Sequence, residues 1–113
     1  MVPRLRMEVR GGEISKGRTV RNNIVDLFFD KLSHIPGARG CLTFQLFRHK
    51  GSGLTTLIEL NARFGGGFPL SLAAGADFPT WLFDEYVLGR SVSTHSAWAE
   101  NLTMLRYDAE IFC

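Results

Sequence analysis

Hydrophobic positions alternate in two runs between residues 40 and 69, separated by a small-residue loop, and this pattern predicts a β-hairpin. From Cys41 to His49, Leu42, Phe44 and Leu46 point one way and Thr43, Gln45 and Phe47 the other. From Leu54 to Asn61, Ile58 and Leu60 share one face, and Leu57, Glu59 and Asn61 share the opposite one. Gly51-Ser52-Gly53 supplies the connection. With Lys50 facing Leu54 across that loop, Gln45 lies directly opposite Glu59. The apolar face, Leu42, Phe44, Leu46, Ile58 and Leu60, is then expected to pack on a helix, while the other gathers Gln45, Glu59 and Asn61.

The same patterning extends along the chain. Residues 3–10 alternate, with Leu5, Met7 and Val9 on one face of a half-buried strand and Arg4, Arg6, Glu8 and Arg10 on the other. Gly11-Gly12 turns this strand, and Glu13-Ile14-Ser15 begins a short return. Asn22 or Asn23 caps a helix running to about His34, with Ile24, Leu27, Phe28, Leu32 and Ile35 as its buried stripe. Pro69 to Ala74 begins a short apolar helix. Asp77 caps the next, with Pro79 in its first turn, Gly89 after its end, and Phe78, Trp81, Leu82, Tyr86 and Val87 buried. Residues 90–102 read as a loop or one weak helical turn containing Trp98. Met104 to Phe112 alternates again, as a last strand closing the sheet. The expected architecture is α+β, one domain over residues 1–113, with a mainly antiparallel sheet of about four or five strands and helices on one face.

Composition narrows the function classes. At 113 residues and 45% hydrophobic content, the chain suits one globular domain, and no run is long enough to span a bilayer. A net charge of +2 does not imply a polyanion partner. The basic groups are uneven, however: Arg4, Arg6, Arg10, Lys16, Arg18 and Arg21 stand against Glu8 and Glu13 within residues 1–22. They read as a solvated strand face or as a nucleic-acid arm, but no aromatic is interleaved to stack bases, so nucleic acid is not favoured. Cys41 and Cys113 show no ligand or redox spacing and read as reduced thiols of a cytoplasmic protein. The amino terminus lacks the apolar core of a signal peptide. His34, His49 and His95 are dispersed without a zinc pattern.

Gln45, Glu59 and Asn61 form an oxygen cluster of metal-ligand type, although a Gln opposite a Glu is also an ordinary cross-strand pair. One carboxylate and two amide oxygens suit a hard cation such as Mg²⁺, which keeps water and substrate phosphates in its other positions. Arg63 follows two residues after Asn61 and offers a planar fork to phosphate. Gly65-Gly66-Gly67 then enters an apolar helix, where backbone amides can hold an anion. No lysine is placed as in a Walker loop.

The segment TFQLF followed by LIELNARFGGG resembles the metal-and-phosphate end of the ATP-grasp fold. It is most similar to ligases like the large subunit of carbamoyl-phosphate synthase, with biotin carboxylase more distant. The likeness covers nearly the whole chain, from VPRLRMEVRGGEISKGRTV to MLRYDAEIF. It implies that Gln45 and Glu59 are magnesium (or manganese) ligands, that Asn61 shares the metal, and that Arg63 meets the phosphate or acyl phosphate. Phe47 matches the apolar position that floors the adenine of ATP. Arg4 and Arg6 would line the rim of the nucleotide site, and Lys16-Gly17-Arg18-Thr19 would form a nearby loop. The family usually has Pro between the Asn and the Arg, where this chain has Ala62.

The resemblance also implies that the amino-terminal nucleotide lobe is absent and that the likeness begins in mid-domain. The first strand is then expected to have an unpaired edge through which the chain joins that lobe, on the same or a separate chain, or a second copy of itself. Two functions follow. One is the carboxy-terminal part of an ATP-dependent ligase that activates a carboxylate or bicarbonate substrate. The other is a catalytically silent structural or assembly module.

Overall fold

The computed structural model describes residues 1–93, 97–107, 109 and 112, apart from the side chains of residues 30 and 33. Among them run β1 (Arg4–Arg10), β2 (Glu13–Thr19), α1 (Ile24–Ser33), β3 (Thr43–Arg48), β4 (Thr55–Asn61), α2 (Phe68–Ala73), α3 (Phe78–Tyr86) and β5 (Thr103–Leu105). The class is α+β and all strand pairing is antiparallel, but the strands divide between two sheets: β1-β2-β5 and the β3–β4 hairpin.

The three-stranded sheet is built around β2. Its Ser15, Gly17 and Thr19 are buried, and α2 lies on that face. A Cβ at Gly17 would stand 3.2 Å from Ile14 Cγ2 and 3.5 Å from Leu70 Cδ2, so the missing side chain lets the helix seat closely. Thr19 is 0% exposed. Its hydroxyl donates to Ala99 O at 2.8 Å and accepts from Leu102 N at 3.0 Å, which ties the segment before β5 to β2. Ala74, Ala76 and Trp98 form the adjoining apolar core. Trp98, expected in a loop or weak turn, lies outside regular structure and is 7% exposed, with the Arg21 guanidinium 4.1 Å from its ring centroid.

Several sequence expectations are revised. Lys16-Gly17-Arg18-Thr19 belongs to strand β2 and is not a loop, because these residues ladder on both sides, to β1 and β5. On β1 only Arg4 is half-buried; Arg6 is exposed, and so are Leu5, Met7 and Val9, the residues expected to be its covered face. Arg4 and Arg6 pair with Thr19 and Gly17, the residues of β2 that face α2. Leu27 of α1, and Tyr86 and Val87 at the end of α3, are exposed where burial was expected. The last strand is short, with Arg106 and Tyr107 already outside it, while residues 108, 110 and 111 of the expected strand, His95 and Cys113 lie outside the described residues.

Helix ends follow their residues. Asp77 accepts from Thr80 N at 3.1 Å and Thr80 Oγ1 at 2.8 Å, with Pro79 in the first turn of α3. At α1, Asn23 holds the capping position but its side chain accepts from Arg48 Nη1, while Asn22 Oδ1 accepts from Ile24 N at 3.2 Å. Among the described residues, no helix is long and apolar enough to cross a membrane.

Candidate functional site

The β3–β4 ladder pairs Thr43 with Asn61, Gln45 with Glu59 and Phe47 with Thr56, and these alternate pairs share one face. The Gln45–Glu59 opposition is as expected, but its cause differs. His49, not Lys50, meets Leu54 across the loop, with His49 N bonded to Leu54 O at 2.8 Å. That loop register alone would set Gln45 opposite Ile58. A bulge between Gln45 and Leu46 leaves Ile58 without a partner and brings Glu59 into place. Leu57 pairs with Leu46 and so joins the apolar side, not the side of Glu59 and Asn61 where alternation placed it. Leu57, Ile58 and Leu60 are exposed while Leu42, Phe44 and Leu46 are half-buried, so the expected helix cover over this face is incomplete.

Around the oxygen face stand three arginines. Arg6 Nη1 donates to Gln45 Oε1 at 2.8 Å and joins the two sheets. Arg4, on the same face of β1, donates through Nη1 to the buried Ser71 hydroxyl on α2. Burial pushes the Arg4 guanidinium below its ordinary pKa, offset in part by the nearby Cys41; burial likewise pushes the Cys41 thiol up, and Arg4 opposes that rise. Arg63 is exposed. Its Nη1 donates to Phe64 O at 3.2 Å, and its carbonyl accepts from Thr43 Oγ1 at 2.8 Å. Thr43, on the oxygen face, therefore fixes the backbone that carries Arg63. Lys16 points to the side of its sheet opposite the Arg6–Gly17 pair, between Glu8 and Leu105. Phe47 shares the face of Gln45 and is 73% exposed.

The glycine run is packed between the two sheets rather than left as an open cradle. A Cβ at Gly65 would come within 2.9 Å of Thr43 Cγ2, and one at Gly67 within 2.9 Å of Ile14 Cδ1. A Cβ at Gly66 would collide with the Glu13 carboxylate, which pairs with Arg106 at 3.3 Å. Arg106 also donates to Gly66 O. The Glu13 carboxylate and its Arg106 partner already take up the space beside Gly66, so this run is not an open cradle for an outside anion.

The donor chemistry fits a hard divalent cation. Glu59 supplies one carboxylate, and Gln45 and Asn61 neutral amide oxygens, on one exposed wall. Gln45 Oε1 is the acceptor for Arg6 Nη1, so its amide oxygen faces the arginine side of this wall. Among the described residues, no group of three or more His, Cys, Asp or Glu is placed to hold a metal, so any cation here depends on the amides. Shallow hollows lie elsewhere, one beside Thr80, Trp81 and Asp84 and one between Leu70 and Met104.

Sequence reasoning missed Thr43, Glu13, Ser71 and Arg106. Thr43 was within reach, since it alternates with Gln45; the contacts of the other three span 40 residues or more and left no local signal.

Residues 1–109 match the family model described as ATP-grasp in the biosynthetic pathway with Ter operon. No curated protein matches the chain.

Proposed function

The chain belongs to the ATP-grasp family, and on that premise we propose that it forms the metal- and phosphate-holding wall of an ATP-dependent ligase like the large subunit of carbamoyl-phosphate synthase. The observation carrying this reading is the direct opposition of Gln45 and Glu59, with Asn61 on the same face. Gln45, Glu59 and Asn61 hold Mg²⁺ or Mn²⁺, which when bound neutralises phosphate charge. Arg63, steadied through its carbonyl by Thr43, contacts the γ-phosphoryl group and offsets its charge. That group passes from ATP to an oxygen of the carboxylate or bicarbonate, with ADP leaving and an acyl phosphate formed. Arg4 and Arg6 extend the cationic rim and Phe47 lies against the adenine, whereas Lys16, on the opposite side of its sheet, takes no part in this arrangement. The setting is cytoplasmic. A nucleotide lobe on the same or a separate chain completes the site.

A second reading has one observation in its favour. Leu5, Met7 and Val9 are exposed on β1, the edge of its sheet, as a surface for assembly with another lobe or a second copy. Thermal unfolding separates the two. ATP with Mg²⁺ at millimolar concentration raises the midpoint under the ligase reading, and neither alone does so as well. No shift, together with a mass above that of one chain in solution, favours assembly.

A further inference from the structure

Arg6 occupies the atom that the metal site needs. Its Nη1 lies 2.8 Å from Gln45 Oε1, so the guanidinium takes one of the two acceptor positions of a proposed ligand oxygen and brings a positive charge against it. The contact is made across sheets: Arg6 is held in β1 opposite Gly17, whereas Gln45 is held in β3 opposite Glu59. Arg6 is exposed, so its long side chain can turn without unpacking a core.

We infer that Arg6 is a gate on the cation site, holding Gln45 Oε1 until a polyphosphate draws the guanidinium away. This rests on the metal reading of Gln45, Glu59 and Asn61. A free divalent cation must displace a charge-assisted hydrogen bond and approach a positive group, both of which oppose binding. A cation arriving with a nucleoside triphosphate meets neither obstacle, since the phosphates offer the guanidinium a bidentate partner. The predicted consequence is ordered loading: metal with nucleotide, and not metal first. Arg6 then serves as a positioning residue for the empty site and a phosphate contact in the filled one.

The test is Mn²⁺ binding followed by its electron paramagnetic resonance signal, with and without ATP, for the wild-type chain and for Arg6→Met, Arg6→Gln, Arg10→Met and Glu59→Ala. Arg10→Met removes one positive charge from the same strand and serves as the charge control. Without ATP, Arg6→Met and Arg6→Gln are expected to bind Mn²⁺ about three- to tenfold more tightly than wild type, the scale of one exposed charge-assisted bond. Arg10→Met is expected to gain less than half as much, and in the Arg6 variants ATP adds little to metal affinity. The gate is overturned if the Arg6 variants bind free Mn²⁺ no more tightly than wild type, or if Arg10→Met matches them. Should Glu59→Ala bind Mn²⁺ as wild type does, the metal reading itself falls and takes the gate with it.

Discussion

Gln45 and Glu59 face each other across the β3–β4 ladder because Ile58 is bulged out between them and the loop. The bulge offsets a loop one residue out of step, so that Gln45, Glu59 and Asn61 share a side. A bulge re-aims side chains and adds twist, and here it selects which residues meet. At the Asn61 end of this wall stands Thr43, whose hydroxyl holds the Arg63 carbonyl.

That bond gives a first prediction. Replacing Gly65 by Ala places a methyl against Thr43 Cγ2, a stiff β-branched side chain on a strand. The expected cost is about 1–3 kcal/mol in urea unfolding. Nucleotide affinity falls too, because the Arg63 backbone loses its anchor, and Thr43→Val at the same position lowers affinity with a smaller loss of stability.

Gly66→Ala is expected to behave differently. The atom in its way is the end of the flexible Glu13 side chain, so the clash is relieved by breaking the Glu13–Arg106 pair. Because that pair is partly exposed, the loss should stay within about 1 kcal/mol. In the Glu13→Ala background, Gly66→Ala should cost measurably less than in wild type. A double-mutant cycle by urea unfolding reads this coupling.

Thr19 supports β2 and β5 together. Thr19→Val keeps the shape but leaves Ala99 O and Leu102 N without their hydroxyl partner, at an expected cost of about 2–3 kcal/mol. Thr19→Ser keeps both bonds and should cost about 1 kcal/mol, from the lost methyl. Equal losses in urea unfolding would show that the hydroxyl carries no weight.

Cys41 gives a pH prediction. Its pKa is raised in the folded chain by burial, so folding favours the protonated thiol. The stability it contributes is fully present below the pKa of the unfolded thiol and is lost as pH rises through the folded value. Alkylation followed at the Cys41 peptide should therefore be slower in the folded chain than in urea at pH 8. Arg4→Met removes the charge that opposes the shift and should slow it further.

The sequence made the hairpin, its oxygen face and the capping of α3 legible, because each depends on spacing within about ten residues. The Ile58 bulge was not legible, since a regular ladder with Lys50 facing Leu54 gives the same Gln45–Glu59 pair. Trp98 lies outside regular structure, as expected of residues 90–102, but its burial was not legible. It lies in a polar stretch without periodicity, and its burial comes from contacts with Ala74, Ala76 and Arg21 far away in the chain. The inward face of β1 was missed because alternation states which residues share a side, not which side is covered. Contacts with Gly67 and with Ser71 of α2 half-bury Arg4, while Leu5, Met7 and Val9 stay outside.

The most direct test is paramagnetic broadening of amide resonances by Mn²⁺ in the presence of ATP, at sub-stoichiometric metal. Signals of Gln45, Glu59 and Asn61 should vanish first, with Arg6 and Arg63 close behind, and Glu59→Ala should leave all of them sharp. Broadening centred on Asp84 and Glu85, or the same broadening pattern in Glu59→Ala, would mean that these strands hold no cation.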